Sequence, residues 1–212
     1  MYFLGTRDEI RKKAGFGLLC IGLLWALAGG QIENFGSRIL FIAPLYFLFT
    51  WKEWGNNREL LLSPKSLVWG LIFGLSAALI PGILIYWASG QSAVSTVIFS
   101  GGPLAWSQDL LAQVSTFTLL DIFVLGLFWT PLWALFSRAC LQKDWGLWSL
   151  CFVDSLILGI GSQSAGVFFG SLVVGLAGAF VFQKRDLGQA VWTQSFAVLS
   201  LGLTLWMLAP RL

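Results

Sequence analysis

Two carboxylates and one guanidinium, Asp121, Asp154 and Arg138, are the residues best placed to do chemistry. All three lie in or at the end of long apolar runs. An ionised side chain at the centre of a bilayer costs roughly 2.5–3.5 kcal/mol on insertion scales, so such a residue is a functional candidate by default. The sharpest chemistry for two membrane carboxylates is peptide hydrolysis by a dyad sharing one proton. That requires both groups at one depth. Helical rise puts Asp121 about 25 Å from the cytoplasmic end of its span and Asp154 about 13 Å along the next, antiparallel one, a mismatch of more than about 10 Å. The Tyr-Asp and Gly-x-Gly-Asp motifs of such dyads are also absent, because Leu120 and Val153 precede the two residues. Structural roles come first for both: a protonated Asp154, or one paired with Arg138 across the 139–144 turn, and an Asp121 wetted from outside.

The remaining chemistry is bounded by what the chain lacks. It contains no His. That removes His-ligated metals, Ser-His and Cys-His catalysis, and imidazole ligation of haem or chlorophyll by this chain. Cys20, Cys140 and Cys151 sit in apolar runs without a CxxC spacing and read as small buried hydrophobes. No metal site and no cofactor is expected.

The elements that carry these residues follow from composition. Of 212 residues, 57% are hydrophobic and 11% charged, with 18 Phe, 12 Trp and a mean hydropathy of +0.80. Soluble domains carry about 25% charged residues, and disordered chains few aromatics, so both classes are excluded. The sequence predicts an all-α, polytopic transmembrane bundle forming one domain over residues 1–212. Seven spans are expected at about Ala14–Gly30, Ser37–Trp51, Ser66–Ala88, Val114–Ser137, Trp145–Gly161, Ser164–Phe182 and Leu187–Ala209. The second is short and carries Pro44. Gln91–Gln108 reads as an external loop with an interfacial helix.

Charge placement tests that count. With the N-terminus in the cytoplasm, residues 1–13 form a cytoplasmic segment. The inner side then holds Arg7, Arg11, Lys12, Lys13, Lys52, Arg58, Lys65, Arg138, Lys143, Lys184 and Arg185, and the outer side only Arg38 and Arg211. Such a split follows the positive-inside rule and predicts N-in, C-out. Trp51, Trp54, Trp69, Trp87, Trp106, Trp145, Trp148 and Trp206 fall near span ends, as interfacial anchors do. The net charge of +3 is spread over the loops, which fits membrane flanks beside anionic lipid and not a nucleic-acid surface. Small residues at four-residue spacing, Gly70 with Gly74, Gly166 with Gly170, and Ser171-Gly175-Ala179, mark faces where helices approach closely. They make the sixth span the expected centre of the bundle.

The stretch Thr130–Ser200 resembles the core of the CPBP family, the CAAX-prenyl-protease and bacteriocin-processing membrane proteins. Within 114–209, Pro131-Leu-Trp133-Ala134-Leu-Phe-Ser-Arg138 resembles that family's Glu-Glu-x-x-x-Arg helix, with Arg138 matching and Trp133 and Ala134 at the two Glu positions. Gln142-Lys143-Asp144 and Trp145-Gly146-Leu147-Trp148 resemble the basic turn and the Trp-rich start of the next helix. Ser162 stands where the family's Phe-x-x-x-His motif has its His, and Gln194 near the start of its last His-x-x-x-Asn/Asp motif.

The resemblance implies a membrane protease fold without its hydrolytic groups. Trp133, Ala134, Ser162 and Gln194 can neither activate water near neutral pH nor bind a metal. A degenerate, non-catalytic relative is therefore expected, with Trp133 filling the volume of the lost water-bearing cavity. Its work would be binding, as a scaffold, assembly factor or accessory subunit among lipids and other integral membrane proteins. The resemblance points to a bacterial inner membrane or a thylakoid membrane. Two alternatives stay open: a divergent protease using Asp154 and Arg138, and a transporter or channel subunit with helices broken at Pro81-Gly82 and Pro131.

Overall fold

A computed structural model describes residues 54–90, 118–136, 146–162 and 165–208, together with Gly17, Pro44, Phe47, Thr50 and Trp51. Every element among the described residues is helical. A helical stretch at 54–61 turns into α1 (Pro64–Gly90). α2 (Leu119–Phe123) continues through a π-helical segment, Val124–Trp129, into α3 (Thr130–Phe136). α4 (Leu147–Ser162), α5 (Ala165–Lys184) and α6 (Leu187–Leu208) complete the order.

Among the described residues, three helices are long and apolar enough to cross a bilayer: Pro64–Ile83 of α1, Val167–Lys184 of α5 and Leu187–Met207 of α6. Leu119–Leu135 is a shorter apolar helix. These correspond to the third, sixth, seventh and fourth expected spans, and α4 to the fifth. Residues 1–13, the loop Gln91–Gln108 and, apart from the five helical positions above, the first two expected spans lie outside the described residues.

The surface of the bundle is greasy, and its centre mixes hydrocarbon with buried polar groups. α1 exposes Val68, Leu71, Ile72, Leu75, Leu79 and Ile83, while α6 buries Gln189, Thr193, Gln194 and Ser195. A helix apolar on its outward face has the composition of a membrane span. The buried hydroxyls of α6 are satisfied within the helix. Thr193 Oγ1 donates to the Gln189 carbonyl (2.7 Å), Ser195 Oγ to Val191 (3.0 Å) and Thr204 Oγ1 to Ser200 (2.8 Å).

α6, not α5, is the hub. It packs on α1, on α5 and on the whole α2–α3 run, and 44% of its apolar window is buried against 28% for α5. The small residues of α5 serve a narrower purpose: Gly175 and Ala179 seat Cys151 of α4, whose Sγ lies 3.3 Å from the Gly175 carbonyl. Cys151 is buried, as its apolar surroundings predicted.

The α1–α6 pair is parallel and held in one register. A Cβ on Gly70 would collide with Trp192; one on Gly74 would lie 2.7 Å from Phe196 Cβ; and one on Gly82 would meet Thr204 at 3.9 Å. Each partner sits the same distance further along the chain. The GxxxG face of α1 is thus a groove that admits the backbone of α6.

The π-helical segment has a local cause. Pro131 has no N–H and its ring crowds the carbonyl four residues back. Just ahead of it, the Thr130 N–H bonds the Leu125 carbonyl, and Thr130 Oγ1 donates to the same oxygen at 2.7 Å. The extra residue keeps the helix continuous across the proline. Pro81 likewise lies inside an unbroken α1.

Candidate functional site

The α3 positions that carry the protease resemblance are packed shut. Trp133 is 5% exposed, and its indole lies parallel to that of Trp129 with ring centres 6.5 Å apart. Ala134 is fully buried in a cluster with Leu61, Leu135 and Val191. Gln194 is also buried, one helical turn along α6 from Val191, and its Oε1 meets no hydrogen-bond partner. α3 and α6 are therefore in direct contact around two of the expected positions, and their common core is hydrocarbon.

Ser162 is carried by a different helix pair. Ser162 is the last residue of α4, and α4 packs chiefly on α5, whereas α3 packs on α6. Arg138 lies outside the described residues. Asp154 is half-buried on α4, beside the face that carries Cys151 and Ser155 toward α5. Among the described residues, no three Cys, Asp or Glu side chains form a group that could hold a metal ion.

Asp121 has a structural task. Thr118 is an extended N-cap, so the helix begins at Leu119 and not at Val114, and Asp121 stands in its first turn. The Asp121 N–H donates to Thr118 Oγ1 (3.2 Å), and Asp121 Oδ2 accepts from the Thr118 N–H and Oγ1, both at 2.7 Å. This is a capping box, which satisfies donors that a helix start leaves open. The carboxylate is buried and engaged locally, on a helix that packs on α6 and not principally on α4.

The most developed polar arrangement lies elsewhere, where the starts of α1 and α6 meet. Ser63 caps α1 by accepting from the Ser66 N–H at 3.1 Å. Asp186 caps α6: its Oδ1 accepts from the Gln189 N–H at 2.8 Å, and its Oδ2 from Gln189 Nε2 at 2.7 Å. Ser66 Oγ joins the two caps, accepting from Ser63 Oγ (3.0 Å) and donating to Asp186 Oδ1 (3.3 Å). Trp192 Nε1 donates to the Leu61 carbonyl at 2.6 Å, closing the end of the 54–61 helix. Gly188 lets the Leu60 carbonyl come against α6. Outside this knot, the Arg185 guanidinium lies over the Trp69 indole, 5.6 Å from the ring centre. The sequence carried a signal for it in Ser63-Pro64-Lys65-Ser66 and Asp186-Leu187-Gly188-Gln189, each a capping residue followed three positions later by a second polar one.

Asp186→Ala should destabilise the bundle by about 1–2 kcal/mol, as N-cap losses do. Asp186→Asn should recover most of that, because an amide oxygen still accepts from the Gln189 N–H. Thermal unfolding of the two variants in detergent measures the difference.

No family model matches the sequence, and neither the curated proteins nor the solved structures yield a significant match.

Proposed function

We propose that this chain is a non-catalytic integral membrane protein, a degenerate relative of the CPBP proteases. It works by binding other integral membrane proteins, as a scaffold, assembly factor or accessory subunit. The observation that carries this reading is the sealed seat of Trp133 and Ala134, both at most 5% exposed. Hydrolysis needs a water molecule beside a general base, and a packed aromatic pair leaves room for neither. The polar groups nearby support the same reading, since the two caps are joined to each other and the α6 hydroxyls are satisfied within their own helix. A protein so composed offers neighbours an outer surface of apolar side chains and a rigid interior.

Purification of the tagged protein in a mild detergent tests the proposal. The expected result is a defined set of integral membrane proteins in near-stoichiometric yield, unchanged by Asp154→Ala and reduced by Arg138→Ala. Cleavage of a membrane-spanning peptide by the pure protein, lost in Asp154→Ala, is the result that would establish the protease alternative instead.

A further inference from the structure

We infer that the joined starts of α1 and α6 form a binding site for an anionic phospholipid, centred on Arg185 and Trp69. The inference rests on the membrane reading above and adds a ligand class and a location to it. Arg58, Lys65, Lys184 and Arg185 are all exposed. They come from two segments more than a hundred residues apart, which the Ser66–Asp186 hydrogen bond and the Gly188–Leu60 contact bring to one end of the bundle. The described carboxylates of this end are Glu59, exposed and next to Arg58 in the chain, and Asp186, whose two oxygens accept from Ser66 and Gln189. Among the described residues of this end, four exposed cations stand against two carboxylates, so it is net positive.

The surface beneath the charges selects a lipid over a free anion. Lys65, Trp69 and Ile72 follow one another at helical spacing on α1, and all three are exposed. Trp69 also stacks on Phe73 with ring centres 5.5 Å apart. The strip runs from an ammonium through an indole to branched hydrocarbon, with successive groups about one turn or 5.4 Å apart. Arg185 is held over the indole by its cation–π contact. A phosphodiester headgroup fits between Lys65 and Arg185, and its acyl chain lies along Ile72 and Leu79. Interfacial Trp beside Lys and Arg is where headgroups sit in a bilayer.

Thermal unfolding of the full chain in a neutral maltoside detergent tests this, with dioleoyl-phosphatidylglycerol, dioleoyl-phosphatidylcholine or inorganic phosphate added separately. Phosphatidylglycerol should raise Tm by several degrees, and the other two by less than one. Lys65→Gln with Arg185→Gln, both at exposed positions, should lower Tm without lipid by no more than the few degrees that an exposed cation–π contact is worth, and remove at least two thirds of the lipid-induced shift. Retention of fluorescent phosphatidylglycerol through gel filtration should fall at least fivefold in the same variant. Equal shifts from the two lipids, a shift from phosphate alone, or an undiminished shift in the variant would each overturn the assignment. Failure of the membrane reading looks different: the chain would then leave the membrane pellet in a carbonate wash.

Discussion

Gly74→Val should unfold the α1–α6 pair, with a loss of at least about 3 kcal/mol, at or beyond the upper end of what overpacking usually costs. The first atom of a new side chain would stand 2.7 Å from Phe196 Cβ, 2.8 Å from the Thr193 carbonyl oxygen and 2.9 Å from the Ala197 nitrogen. Two of those three are backbone atoms of a continuous helix, so neither can swing aside. The pair could relieve the clash only by separating. That would uncover the core formed by Ala78, Val174, Ala197, Leu201 and Leu205. It would also strain the Ser66–Asp186 and Trp192–Leu61 bonds at the far end of the same interface. Against a total stability of about 5–15 kcal/mol, such a loss is large. Gly82→Ala supplies the control, because its nearest neighbour, Thr204 Cγ2, lies at 3.9 Å, in ordinary contact. Chemical unfolding in micelles should separate the two variants sharply, although both alter a small residue of one helix. Equal tolerance at both sites would mean that α1 and α6 do not approach this closely.

The same pair shows which parts of the fold were legible in the sequence. Gly70 and Gly74 announce a close helix contact, because small residues at four-residue spacing have that consequence wherever they occur. They do not name the partner. Gly166 and Gly170 send the same signal from α5, and a count of small residues made α5 the centre. α6 is the centre because its own side of the contact is built from Trp192, Thr193, Phe196 and Ala197, whose bulk fills the groove that the glycines open. Such complementarity joins residues 122 apart in the chain, and no local pattern contains it. Helix ends were legible to within a few residues where composition changes abruptly, as at Leu187. The start of α2 was not, because Val114 and Phe117 extend the apolar run across Ser115 and Thr116, and only the hydrogen bonds of Thr118 and Asp121 set the boundary. For the same reason Asp121 read as a membrane charge at a distance from any partner. Its partner is three residues away.

The candidate site divides in the same manner. That Trp133 and Ala134 cannot hydrolyse anything follows from their chemistry alone. That they are sealed follows from packing. Trp133 needs Trp129 one turn earlier to stack on, and Ala134 needs Val191 and Leu61 from two distant segments to close over it. The polar knot at Ser63, Ser66, Asp186 and Gln189 was within reach of local reading, since each half is an N-cap signature. The hydrogen bond joining the halves was not.

Placing a carboxylate at Ala134 or Trp133 should therefore destroy the protein and not create an enzyme. Ala134 is fully buried against Leu61, Leu135 and Val191. Glutamate at this position extends a side chain well beyond a Cβ and adds a negative charge, with no described cation beside it. Overpacking alone costs about 1–3 kcal/mol. Burying an unpaired carboxylate adds several more, or forces it to hold a proton and leave a polar group unsatisfied. Ala134→Glu should accordingly fail to accumulate in membranes, with Trp133→Glu close behind it through the loss of the indole stack. Ala134→Ser discriminates charge and bulk from polarity as such. A serine hydroxyl can donate to the carbonyl four residues back, as Ser195 and Thr193 do in the equally buried core of α6. It should cost no more than about 1 kcal/mol, within the range of a single satisfied hydroxyl. Membrane yield and unfolding of the three variants measure the series. A well-folded Ala134→Glu protein, with its new carboxyl group open to a water-soluble carbodiimide, would show that the seat of Ala134 can hold water. A binding-only role would then lose its physical basis, because the same opening could admit a substrate.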